Sequence, residues 1–175
     1  MATRAERTAR SLILRYSIAE PPIPVAELSE GVGLPVTYHD LEDGVSGMLI
    51  RQDEHAVMAV NVNHHEHRQR FTIAHELGHF LMHQDSPSVF VDDLLVHFRA
   101  DKGSRRFDPR EREANEFAAA LLMPRAFLNA DLHSRPIDVS DDESVRELAA
   151  LYKVSAQALT IRLMTLGLVG EIGAV

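Results

Sequence analysis

The chain has no cysteine, which excludes a disulfide framework and any thiolate metal site. A metal here would have to be held by His, Asp or Glu. The chain also lacks an apolar run near the roughly 20 residues that span a bilayer. Residues 1–7 lead into no long apolar stretch and no small-residue cleavage site. A secretory signal is therefore not expected, and a cytoplasmic protein is. Basic charge is not in excess either. The formal net charge of −8 argues against a dedicated nucleic-acid binder, since such domains carry a basic face. The rest is ordinary for a globular protein. With 175 residues, 45% hydrophobic and 25% charged, the chain can build one domain with a core and a small appendage. Histidine is the residue in excess, with ten copies.

Hydrophobic spacing places the elements. Ala5, Ala9, Leu12, Ile13 and Tyr16 recur with helical period over residues 3–17. The run Pro21-Pro22-Ile23-Pro24 stops that helix, because proline lacks the donor and fixes its own φ. A short helix follows over 24–30. Residues 36–38, 47–50 and 56–60 then read as three strands, separated by Glu42-Asp43-Gly44 and Gln52-Asp53-Glu54 turns. An antiparallel meander is the simplest topology. Asn63 offers a helix cap with Glu66 three positions on, and the helix runs over 64–84. A loop containing Lys102 to Arg106 precedes a second clear helix start. There Asp108 caps, Pro109 takes the first turn, and Glu111 completes the capping box. Met123-Pro124 ends this helix. Residues 133–143 read as a linker. The stretch after 144 is helical again, broken near Val154-Ser155.

Within the first long helix lies His75-Glu76-Leu77-Gly78-His79. Positions i and i+4 share a helix face, so both imidazoles can reach one ion. Glu76 is rotated by about 100°. From there it can take a proton from a water on the metal without being a ligand, as a general base. The bland reading is a pair of solvent-exposed histidines.

A hydrolytic zinc site needs a third protein ligand and an open fourth position. Asp85 and Met82 stand where one known pattern asks for a histidine and a glycine, so the turn that would return Asp85 is unsupported. His83 shares the face of His79, but three ligands in successive turns of a straight helix span too far for one ion. Glu116 points away from the apolar stripe of its helix, and Glu111 is spoken for by capping. Glu113, at the edge of that stripe near Phe117, is the preferred third ligand. The expected set is thus His75, His79 and Glu113, with Glu76 as base and one Zn2+ per chain, Mn2+ being an alternative.

The stretches from Arg68 to His79 and from Glu113 to Met123-Pro124, with Pro21-Pro22-Ile23-Pro24, Gly33-Leu34 and Val45-Ser46-Gly47-Met48, resemble the ImmA/IrrE-like metallopeptidase family. The resemblance covers roughly residues 10–130. It implies a compact α+β fold with a gluzincin-like helical zinc core, to which the patterns above add a small three-stranded sheet and a helical tail. It implies the same three ligands, His75, His79 and Glu113. It also implies cleavage of a helix-turn-helix repressor or an antitoxin-type partner, which relieves repression. The expected division is a metallopeptidase domain over 1–132, a linker over 133–143 and a helix-turn-helix-like segment over 144–175. The chain looks too short for the extra C-terminal sensor domain of the larger family members. The alternatives are a zinc-containing module that sequesters a regulator without cutting it, and a DNA-binding regulator acting through the tail. The modest charge of that tail argues against direct nucleic-acid binding.

Other residues have two readings each. His64-His65-Glu66-His67 is a second metal site or a polar helix entry. Tyr16, Tyr38, Tyr152 and the histidines of that entry compete to polarise a substrate carbonyl. Arg70 pairs with a cleft carboxylate or with a surface acid. Asn115 orients a ligand or caps backbone. The strand over 45–51, if it is a sheet edge, could hold an extended substrate.

Overall fold

The computed structural model describes residues 2–52, 55–83, 89–92, 108–134 and 141–168. Helix α1 (Arg4–Arg15) begins with a reciprocal capping box between Thr3 and Glu6. It buries Ala5, Ala9, Leu12 and Ile13, the stripe its period predicts. After the proline run comes α2 (Val25–Gly31).

Strands β1 (Val36–His39), β2 (Gly47–Gln52) and β3 (His55–Asn61) fall where expected, but they do not form a meander. β1 pairs parallel with β3, and a fourth strand, β4 (Val89–Asp92), pairs antiparallel with β2, giving the order β1-β3-β2-β4. Asn61 supplies the physical reason. Buried at the end of β3, it donates from Nδ2 to the carbonyls of Leu41, Glu42 and Val45. This carries the 40–46 connection across the end of β3 to its far side, where a hairpin would have turned back beside β1. Strand β2 is therefore central. Both its sides are taken, so the reading of 45–51 as a substrate-binding edge is corrected.

Helix α3 (Glu66–Met82) lies against this sheet. Its cap is His65, whose Nδ1 accepts from the His67 amide at 3.2 Å, and not Asn63. Asn63 is drawn away by Asp40 and Asn61, to which it donates at 2.6 and 3.0 Å. Two features of β2 fix the helix. A Cβ on Gly47 would sit 2.4 Å from Thr72 Cγ2, so only glycine permits this approach. Arg51 donates to the carbonyls of His79 and His83 at 3.0 and 2.9 Å, satisfying the C-terminal end of the helix with a cation.

Helix α4 (Pro109–Leu122) starts as its sequence says: Asp108 accepts from the Arg110 amide at 2.8 Å and Pro109 fills the first turn. It packs across α3 and α1. Then follow α5 (Arg125–Ser134), α6 (Asp142–Tyr152) and α7 (Ala156–Thr165). Helix α5 occupies the first two positions of the expected linker, and residues 135–140 lie outside the described set. So do Asp85 and the expected loop over 102–106. Val145, Leu148, Tyr152, Leu159 and Leu163 join the same hydrophobic core as α1, α3 and α4. Polar ties reinforce this: Tyr152 Oη donates to Asp131 at 2.6 Å, and Arg162 Nε to the Met123 carbonyl at 3.2 Å.

The crossing of α3 and α4 is set by Gly78, where a Cβ would lie 2.9 Å from Phe117 Cδ1 and 3.4 Å from Ala114 Cα. Phe117 is fully buried and cannot retreat. Valine at 78 gains a few tenths of a kcal/mol in helix propensity but overpacks the crossing by about 1–3 kcal/mol. Gly78→Val is expected to lower stability in urea unfolding by roughly 2 kcal/mol. Unchanged stability would show that the crossing has slack.

Candidate metal centre

The HExxH residues sit in the middle of α3, and all of them are buried. His75 and His79 lie one turn apart on one face, with their Nε2 atoms 3.0 Å from each other. Opposite them, in the first turn of α4, is Glu111. Its Oε2 is 3.4 Å from His75 Nε2 and its Oε1 is 3.1 Å from His79 Nε2. These three are the group among the described residues whose donor atoms converge within 4.8 Å of one another.

This corrects the expected site. Glu113 is not at the histidine pair. It lies two residues further along α4, about 200° round the helix, where its Oε2 meets His83 Nε2 at 2.9 Å and Arg4 Nη1 at 3.5 Å. Glu111 is not a capping-box partner either, because its carboxylate turns inward to the imidazoles. A signal for this was present in the sequence. Glu111 and Asn115 are spaced by four, as His75 and His79 are, so each pair presents one helix face to the other.

Asn115 takes the first of its two readings and orients a histidine: its Oδ1 lies 3.0 Å from His75 Nδ1. A carbonyl oxygen can only accept, so Nδ1 donates to it, which leaves Nε2 as the nitrogen that would bind an ion. His79 Nδ1 lies 3.1 Å from His83 Nδ1. His83 is thus a neighbour behind the cluster and not a member of it. Glu76 is wholly buried beside His75 in the chain, and Arg51 lies close enough to feel its charge.

The donor set fits a small divalent cation. Tetrahedral zinc with ligands at 2.0–2.1 Å holds its donors about 3.3–3.4 Å apart, and the three separations here are 3.0, 3.1 and 3.4 Å. The protonation states fit as well. Burial lowers the pKa of His79, partly offset by Glu111, so its neutral, ligating form is favoured. Burial pushes Glu111 up, but hydrogen bonds to His75 and His79 outweigh it and hold the carboxyl well below its usual range.

The remaining candidates are placed elsewhere. Tyr16 packs its ring on Gly31, Tyr152 is tied to Asp131, and Tyr38 is half exposed on β1. His65 and His67 stack edge to face at the entry to α3, 4.5 Å apart. Arg70 meets neither kind of acid directly. It donates to the carbonyls of Ile23 and Lys153, lashing α2 to the C-terminal helices.

The family model described as the IrrE N-terminal-like domain matches residues 29–164. A radiation response metalloprotease IrrE of Deinococcus deserti is 35% identical over 120 residues, which cover 61% of this chain and 40% of that protein. An uncharacterized immunity region protein 2 of Bacillus phage phi105 is 26% identical over 122 residues, 70% of each chain. A solved structure of a Mycobacterium tuberculosis transcriptional regulator aligns over 91% of this chain and 46% of its own. Its TM-score is 0.60 at 19% identity, a likeness of fold alone. The chain therefore spans less than half the length of the Deinococcus relative.

Glu111 and Glu113 can be told apart by metal uptake. Glu111→Ala should weaken zinc binding by more than the roughly 10–100-fold typical of losing an outer-shell partner, whereas Glu113→Ala should stay within that range and keep one zinc per chain. Equilibrium dialysis against a competing chelator reads both. The reverse order would restore Glu113 as the ligand.

Proposed function

The chain belongs to the IrrE N-terminal-like domain family, and from that premise we propose that it is a zinc-dependent endopeptidase that cuts a regulatory protein. The observation that carries this reading is the convergence of His75, His79 and Glu111, with Glu76 buried next to them on α3. The Deinococcus relative bears the name metalloprotease, and the phage relative is named for an immunity region. A helix-turn-helix repressor is the substrate class we favour.

Each residue has a distinct task. His75 and His79 would hold the metal through Nε2, and Glu111 through its carboxylate. A bound divalent ion supplies Lewis-acid polarisation of a peptide carbonyl and makes a nearby water more acidic. Glu76 takes the proton of the attacking water and delivers it to the leaving amine as the C–N bond breaks. Asn115 fixes the ring of His75 by its outer nitrogen, which keeps the inner lone pair aimed at the centre. The burial of these groups excludes bulk water, which strengthens every charge interaction in the site.

The tail suits docking better than DNA. Arg162 is buried against Met123 and Glu6, Lys153 pairs with Glu66 at 3.1 Å, and Arg146 lies 3.8 Å from Asp142. Cations committed in this way neutralise few phosphates.

The discriminating variant is Glu76→Gln. It should retain zinc and lose cleavage of a helix-turn-helix repressor encoded beside its gene by about 100- to 10,000-fold, the usual span for a general base. The assay is the appearance of two fragments on a gel, with metal content measured in parallel. Equal cleavage by the variant would remove Glu76 from the mechanism. Tight binding of the repressor with no cleavage by the unsubstituted protein would favour a sequestering module.

A further inference from the structure

Beside the metal centre lies a hollow of about 460 Å³, to which the reaction above gives no task. One wall is a face of α4, running from Arg112 past Asn115 and Ala119 to Met123. The other is a face of α7, running from Ala158 past Ile161 to Thr165. On both helices the lining residues recur every three or four positions, which places them on a common face. The volume falls within the roughly 300–1,000 Å³ of small-ligand pockets. Two alanines, Ala119 on one helix and Ala158 on the other, leave room that longer side chains would fill. A packing defect would be sealed, but Arg112, Ile161 and Thr165 of this lining are exposed.

The hollow adjoins the centre. Asn115 lines it and also touches His75 at 3.0 Å. Phe71, another lining residue, precedes His75 by one turn of α3, and Asn115 and Ala119 follow Glu111 by one and two turns of α4. At about 5.4 Å per turn the hollow begins about 5–11 Å from the cluster. An extended chain covers that distance in about two or three residues.

The lining also says what fits. Arg112 and Glu116 bring one charge of each sign, so neither an acid nor a base is favoured. The buried cation, Arg162, is committed to the Met123 carbonyl and to Glu6. The remaining surface is mostly apolar, and it continues over the rim. Ile161 is 46% exposed, and Met164, its neighbour three positions on, is 59% exposed. Single exposed hydrophobics are ordinary, but two adjacent ones at the mouth of an apolar hollow extend its surface.

We propose that this hollow is a specificity pocket that seats a large apolar side chain of the substrate, of leucine size, two or three residues from the bond cut. Helix α7 thereby forms a wall of the substrate site. The inference rests on the endopeptidase reading above.

The experiment uses the full zinc-loaded chain and the helix-turn-helix repressor encoded beside its gene. The cut is located by the masses of the fragments, and each large apolar residue within four positions of it is replaced by alanine. One of these replacements should lower kcat/KM by about 10–200-fold, the span for a hydrophobic pocket. Ala119→Leu and Ala158→Leu fill the hollow from opposite walls. Each should lower kcat/KM on the natural repressor by at least about tenfold. On the sensitive alanine-substituted repressor the same variants should act within about threefold of the unsubstituted chain, because the two changes remove one contact. Zinc content and melting temperature, measured in parallel, should not change. If one variant damages the fold, the other carries the test. No sensitive position, or filling variants that treat both repressors alike, would overturn the pocket. Failure of the unsubstituted chain to cut the repressor would sink the endopeptidase reading instead. The pocket is then decided by carbon-13 methyl spectra of the full chain titrated with N-acetyl-leucinamide, with N-acetyl-alaninamide as control. Signals of Ala119, Ala158 and Ile161 should move with the leucine compound and not with the control. Unmoved signals would overturn it.

Discussion

The close crossing of α3 and α4 is the constraint from which the rest of the site follows. Glycine at 78 lets Phe117 and the backbone of Ala114 come into direct contact with α3. At that separation, residues one turn apart on each helix face each other, and His75 and His79 meet Glu111 and Asn115. Two further restraints stop α3 from sliding. Gly47 admits Thr72 against the sheet, and Arg51 grips the carbonyls at its far end. Without these, helical periodicity would still pair the histidines, but nothing would bring the carboxylate to them.

Burial then decides the chemistry. The cluster lies in a core whose low polarity penalises unpaired charge, and the structure answers by partnering each imidazole at its outer nitrogen. Asn115 serves His75, and His83 with Glu113 serves His79. Glu111 stays ionised despite burial because two imidazoles lie within 3.4 Å of it. Glu111 and Glu113 of α4 therefore lie in different surroundings. One faces the histidine pair, and the other meets His83 and Arg4 behind it.

The C-terminal helices belong to this framework. Tyr152 is fully buried and bonded to α5, Arg162 ties α7 to the end of α4, and Arg70 ties α3 to the turn after α6. The family match likewise runs through residue 164, well into α7. A segment that reads as a helix-turn-helix from its pattern is here spent largely on packing. Its basic groups face protein partners and leave little charge for a phosphate backbone.

Periodicity and composition by themselves determined the histidine pair, the absence of thiolate ligands, the placing of Glu76 beside the pair and the starts of α1 and α4. These follow from spacing along one helix or from caps within four residues, where neighbours in sequence are neighbours in space. Only the tertiary structure decided which carboxylate faces the histidine pair, the strand order and the neighbours of His83. Each depends on which face of one element meets another, and local signals misled at those points. The capping pattern claimed Glu111, which instead answers to α3. Asn61 redirected a connection that the turn residues alone would have folded into a hairpin. A helix fixes its own faces from its sequence, but the partner of each face is chosen by how closely a distant segment can approach, and here a glycine and a buried asparagine set that distance.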